Sequence, residues 1–260
     1  MTTSPTRLHA DLNAARLKTP PTDPNRPRPA SRPQVRRYTV TTQLSNGDIC
    51  ETRHLAPAMP LFEDAFCAFA RGSLVETETG PMAIEDLLPG DRVVTVDGDS
   101  QPVVWKGSLT VVPGLKNVQR RDMKLTRLMA DSFGMSRPMS CVIAGPSARL
   151  LYTPDRYRAL AGDTRILSPV QAFVDGVNVI ETAPPTAVEL FHICLPRHAA
   201  IRVGGLEFES YHPGTTSTRT ISHAMRSLFL NLFTHVDSIG EFGPVAYPRA
   251  GEGQIDAMSA

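Results

Sequence analysis

The apolar residues of this chain come in short runs separated by turn chemistry. Leu74-Val75 precede Thr79-Gly80, and Ile84, Leu87 and Leu88 precede Pro89-Gly90-Asp91. Val93, Val94 and Val96 precede Asp97-Gly98-Asp99, and Val103-Val104-Trp105 precede Lys106-Gly107. Runs of this length, broken by Gly, Pro and Asp about every ten residues, predict a meander of short strands over 66–112. Upstream, YTVTTQL and ICETRHL flank Ser45-Asn46-Gly47-Asp48, and Asn-Gly between alternating runs predicts a hairpin. The stretch from Ala56 through Pro60 then reads as an extended connector delivering the chain to Cys67. Downstream, PGLKNVQRRDMKLTR predicts a surface loop, Ser140–Ile143 and Ala148–Tyr152 predict strand pieces, and TPDRYRALAGD predicts a second polar excursion. Two more short elements flank the Asp175-Gly176 turn. In AVELFHICL, Phe191, Ile193 and Leu195 fall on one face and Leu190, His192 and Cys194 on the other. One segment, Ser222 to His235, has helical period. Its Met225, Leu228, Phe229, Leu232 and Phe233 make a single apolar stripe, and Thr220 or Ser222 can cap its start.

Composition sharpens this into a mainly β chain. There are 23 prolines and 18 glycines against 5 tyrosines and 1 tryptophan, an excess of turn-formers that favours short strands over long helices. A hydrophobic content of 41% supports a sizeable core. The net charge of +1 gives no electrostatic argument for nucleic acid or an anionic membrane as partner of the whole chain. Residues 1–36 are rich in Pro and Arg and poor in large apolar groups, which predicts a disordered tail. The organisation that follows is a hairpin and connector over 37–65, a β domain over 66–214, a helical extension over 215–248 and a flexible tail over 249–260.

Cys50, Cys67, Cys141 and Cys194 are widely spaced and form no CxxC pair, which argues against a disulfide framework or a structural zinc site. Reduced core thiols in a cytoplasmic protein fit that spacing. The first residues lack an apolar signal core and no run reaches membrane-spanning length; export by a route other than Sec is left open. No phosphate-cradling Gly loop, paired-carboxylate motif or Gly-x-Ser-x-Gly elbow occurs, so no cofactor is expected.

The pieces AFARGS, PMAIEDLLPGDRV, AGPSARLL, FHICLPRH and ESYHPG together resemble the Hint superfamily, the hedgehog/intein autoprocessing fold, in its bacterial Hint-domain branch. The resemblance covers roughly residues 66–214 and implies a Hint-like β fold of short strands, here with an N-terminal hairpin and one C-terminal amphipathic helix. It also implies chemistry on the protein's own backbone. A first Cys or Ser attacks the carbonyl just upstream, giving a thioester or ester, and a block histidine protonates the departing amide nitrogen.

This sequence departs from that pattern at both positions. Counting from Phe69 and Gly72, the nucleophile position falls on Ala68; counting from Pro146 and Arg149, the histidine position falls on Ala148. Pro196 also precedes Arg197-His198, where the resemblance implies an Asp. Cys67 sits one residue early, which on an extended strand turns its thiol to the opposite face unless a bulge intervenes. Ser73 falls at the family's turn position and is read as capping that turn. Cys67 and His198 are therefore the candidate catalytic residues, with His198 and His212 alternatively holding turns together. His192, Cys194 and His198 invite a metal reading, but no further ligand stands at typical spacing, and no metal site is expected. Two functions follow. One is a degenerate Hint module that does not splice itself and serves as a structural or interaction domain, with a protein partner. The other is a self-processing protein whose substrate is its own backbone, cut after Phe66 through a Cys67 thioester.

Overall fold

The computed structural model describes residues 34–112, 123–154, 164–214 and 221–251. Residues 1–33 of the Pro/Arg-rich segment and the polar excursion after Pro154 lie outside the described residues, while Val35 and Arg36, expected in the disordered tail, are instead the first residues of a strand. Among those that are described, sixteen strands form two eight-stranded antiparallel sheets.

The first sheet begins with the hairpin. Strands β1 (Val35–Gln43) and β2 (Ile49–Pro57) pair from Val35↔Pro57 to Gln43↔Ile49 around the Asn46-Gly47 turn. Gly47 has φ +90°, the left-handed conformation that this turn needs and that glycine adopts without steric cost. β1 continues the sheet into β8 (Trp105–Val111), then β14 (Val188–Cys194), the two-residue β3 (Phe69–Ala70), β10 (Val142–Ala144), β9 (Leu125–Leu128) and β13 (Val179–Thr182). The second sheet runs β12 (Ile166–Pro169), β11 (Arg149–Tyr152), β16 (Leu206–Glu209), β15 (Ala200–Val203), β4 (Leu74–Thr77), β6 (Arg92–Val94) and β7 (Ser100–Pro102), with β5 (Gly80–Ala83) hairpinned onto β4.

β14 shows why the sheets sit as they do. Its alternation sends Phe191, Ile193 and Leu195 into a core drawn from both sheets, with Val75, Val93, Ile201 and Phe208. Leu190 and Cys194 go the other way, into a second, aromatic core with Tyr38, Phe66, Trp105, Tyr211, Phe229 and Phe233. In that second core the Trp105 and Phe233 rings stack at 4.8 Å, and Trp105 Nε1 donates to the Leu232 carbonyl at 2.7 Å. The indole is thereby satisfied while fully buried.

Four further expectations need correction. The connector after Met59 is not extended throughout: Pro60–Glu63 make one helical turn, α1, with proline in the first turn, where its missing N–H costs nothing. Leu125–Leu128, assigned from the sequence to the end of a loop and the residue after it, is a strand with both leucines buried between β10 and β13. The C-terminal helix α2 spans only His223–Leu230. Ser222 caps it through Met225 N at 3.3 Å, Leu228 leaves the buried stripe, and the chain turns so that Leu232 and Phe233 enter the core from outside the helix. Arg249, the first residue of the expected flexible tail, is 5% exposed and ion-paired to Glu209 at 2.8 Å. Pro248 and Ala250 exchange backbone hydrogen bonds with Leu167 beside it. Among the described residues no helix is long and apolar enough to cross a membrane.

Candidate functional site

β3 is two residues long because it is wedged between longer neighbours: Phe69 pairs with Phe191 on β14 and with Ala144 on β10. The peptide joining Cys67 to Ala68 enters this wedge and is held by backbone groups at every polar atom. The Cys67 carbonyl accepts from Ser147 N at 3.3 Å, Ala68 N donates to the Phe191 carbonyl at 3.0 Å, and the Ala68 carbonyl accepts from Gly145 N at 2.7 Å. The fit leaves no room at Gly145, where a Cβ would lie 2.0 Å from the Cys67 oxygen.

The side chains of this peptide diverge. Ala68 joins the two-sheet core, as does Ala148, which is 2% exposed. Cys67 joins the aromatic core with Phe66, Tyr38 and Trp105 and is fully buried. No disulfide joins the four cysteines.

Beside Ala148 opens a cavity of about 270 Å³, lined among others by Asp64, His192, Glu209, Tyr211 and His212. Neither Cys67 nor His198 is among its lining residues. A larger cavity of about 600 Å³, lined by Phe133, Tyr152, Arg165 and Arg202, holds none of the sequence candidates.

His198 is held on both nitrogens. Nδ1 accepts from Ala246 N at 2.8 Å, which leaves the proton on Nε2, and Nε2 lies 2.9 Å from Glu209 Oε1. Glu209 ends β16, and it also pairs with Arg249 at 2.8 Å and with Arg149, at the start of β11, at 3.3 Å. Burial alone would raise this carboxyl. The His198 hydrogen bond and the two guanidinium groups outweigh burial and hold it at about 2. His212 is also fully engaged, accepting from Gly214 N through Nδ1 and donating from Nε2 to the Gly243 carbonyl, each at 3.0 Å. Burial lowers it to about 4.

Sequence reasoning weighed His192 as a metal ligand and favoured a strand residue satisfied by backbone, and the structure places it in the second setting. Its Nδ1 accepts from Ile193 N at 3.1 Å, its ring meets Phe69 and Tyr211 edge to face, and it lines the cavity. Burial lowers its pKa to about 3, so the ring is neutral at pH 7. The available signal was the alternation that set His192 on the same interior face as Leu190 and Cys194. Among the described residues no three His, Cys, Asp or Glu side chains gather as a metal-binding group. The Glu209 cluster went unread because its partners come from three separate parts of the chain.

As arranged, the site presents a peptide bond locked in a backbone cradle, the buried alanines Ala68 and Ala148 in one core, and a buried ionic cluster along the cavity wall. Two of the solved structures similar to this chain are intein-like. One is a bacterial intein-like domain from Clostridium thermocellum, with TM-score 0.40 and 14% identity, covering 56% of this chain and 99% of that one. The other is a GSH-linked, splice-inactive variant of the AceL NrdHF class 3 split intein, with TM-score 0.38 and 12% identity, covering 55% of this chain and 97% of that one. No curated protein matches the sequence. Residues 67–215, more than half of the chain, match the family described as the Hint domain, and the protein belongs to that family.

Proposed function

We propose that this Hint domain does not process its own backbone and serves instead as a structural or interaction module. The observation that carries the reading is the pair Ala68 and Ala148. Both are buried in one core beside the cradled Cys67–Ala68 peptide, and neither side chain can attack a carbonyl or give up a proton. The sequence candidates do not replace them. Cys67 packs into the opposite, aromatic core, and both ring nitrogens of His198 are engaged, by Glu209 and by the Ala246 amide. A general acid must come within hydrogen-bond reach of the leaving nitrogen, and His198 does not line the cavity beside Ala148.

The test is intact-mass measurement of the purified chain with and without dithiothreitol. The expected result is one species at 28.3 kDa in both. A fragment ending at Phe66 that vanishes in Cys67→Ala overturns the reading in favour of self-cleavage through a Cys67 thioester.

A further inference from the structure

The β1–β2 hairpin lies outside the residues matched to the family, and β2 ends the first sheet with no strand beyond it among the described residues. Its open side can be read from the hairpin closure, where Leu44 N donates to the Asp48 carbonyl at 2.8 Å. Hydrogen-bonded and non-hydrogen-bonded pairs alternate along an antiparallel ladder. Thr42↔Cys50, Val40↔Thr52 and Tyr38↔His54 are therefore the hydrogen-bonded pairs of the hairpin. Ile49, Glu51, Arg53 and Leu55 accordingly turn their amides and carbonyls away from β1. An edge of this kind is a template for another strand.

The side chains narrow the choice of partner. The same four residues share the outer face of the sheet. Ile49 and Leu55 are 41% and 68% exposed, and the Glu51 and Arg53 side chains meet only loosely, at 3.6 Å, in solvent. Counted outward from Thr52 the strand complements itself, with Glu51 against Arg53, Cys50 against His54 and Ile49 against Leu55. We propose that two copies of the chain pair edge to edge through β2, antiparallel, about a two-fold axis at Thr52. In that register the pairs Glu51–Arg53 and Ile49–Leu55 between copies are the ones whose backbone groups point outward, so ladder geometry and side-chain chemistry select the same alignment. Moving the axis to Glu51 or to Arg53 sets like charges directly opposite each other, which is destabilising. An axis between two residues matches outward backbone groups to inward ones. The interface is isologous, as a two-fold requires.

The test is sedimentation of the full chain over a range of concentrations, and it does not depend on whether the backbone is processed, because fragments are read separately by mass. The expected result is a species of twice 28.3 kDa that grows with concentration. Arg53→Glu, at an exposed position that leaves the hairpin intact, returns the chain to the single mass. Adding Glu51→Arg to Arg53→Glu restores the pair. At the axis, facing non-hydrogen-bonded Cα atoms are about 4.5 Å apart, within disulfide span. Thr52→Cys in a Cys50→Ser, Cys141→Ser background therefore gives a disulfide-linked dimer on mild oxidation. A chain that sediments at 28.3 kDa at every concentration overturns the proposal. So does a dimer indifferent to Arg53→Glu, or a charge swap that fails to restore association.

Discussion

The peptide between Cys67 and Ala68 is held by backbone groups, whereas the Glu209 carboxylate is held by side chains. That difference decides how each region responds to substitution. The cradle requires only that residue 145 lack a Cβ and that the amides of Ser147, Ala68 and Gly145 exist; the identities of residues 68 and 148 do not enter it. The side chains at 68 and 148 can therefore change while the frame stands. The Glu209 cluster has no such tolerance, because removing one partner leaves buried charge on the others.

The largest expected effect tests whether the cradle is still competent. Ala68→Cys combined with Ala148→His supplies a nucleophile at the cradled carbonyl and an imidazole in the cavity. Thiol-induced cleavage before residue 68 should run about 10²- to 10⁴-fold faster than with Ala68→Cys alone, the usual worth of general acid catalysis. Adding Gly145→Ala should abolish it by pushing the Cys67 carbonyl out of place. Mass spectrometry after dithiothreitol reads all three variants, and a double variant that stays whole would mean the frame has decayed with its side chains.

Next in size is the cluster. Glu209→Ala should cost about 3–5 kcal/mol in urea unfolding, the range for breaking a buried pair from one side. Arg249, whose side chain is 4% exposed, loses its 2.8 Å ion pair with Glu209. Arg149→Ala should cost less, since that side chain is 27% exposed. Equal costs would mean the carboxylate is not shared as drawn.

The smallest per residue is a pH effect, shared among buried imidazoles. His192, His212 and His235 have pKa values of about 3, about 4 and about 4, all pushed down from 6.5 by burial. The unfolded chain binds those protons first, so stability is full above pH 6.5 and falls as pH drops from there toward 4. At pH 5 the loss is about 2 kcal/mol per imidazole. Unfolding curves at pH 7 and pH 5 should differ accordingly, and His212→Asn should narrow the gap by one share. Glu209 titrates lower and contributes its own loss only below its unfolded value of about 4.5.

Local chemistry was legible in the sequence. Asn46-Gly47 gave the hairpin, alternation gave both faces of β14, and Ser222 gave the cap of α2. The missed elements depend on distant partners. β9 is four residues with Thr126 and Arg127 in the middle, and only its position between β10 and β13 makes it a strand. Arg249 looked like a tail because Glu209 stands forty residues away in the chain. At the candidate site, Ala68 and Ala148 came from the resemblance. What holds His198 could not be read, since one of its partners is the amide of Ala246, forty-eight residues on.

The bond from Trp105 to the Leu232 carbonyl bears on where this protein can be cut. The matched segment ends at 215, yet its only tryptophan is completed by a residue beyond that limit, and the aromatic core around it is closed by Tyr38 from before it. Excised at the family's limits, the domain would carry a bare indole N–H and an unroofed aromatic face into water. The family's matched segment and the folding unit are therefore different lengths, and a transplant of this domain into another chain must carry its flanks along.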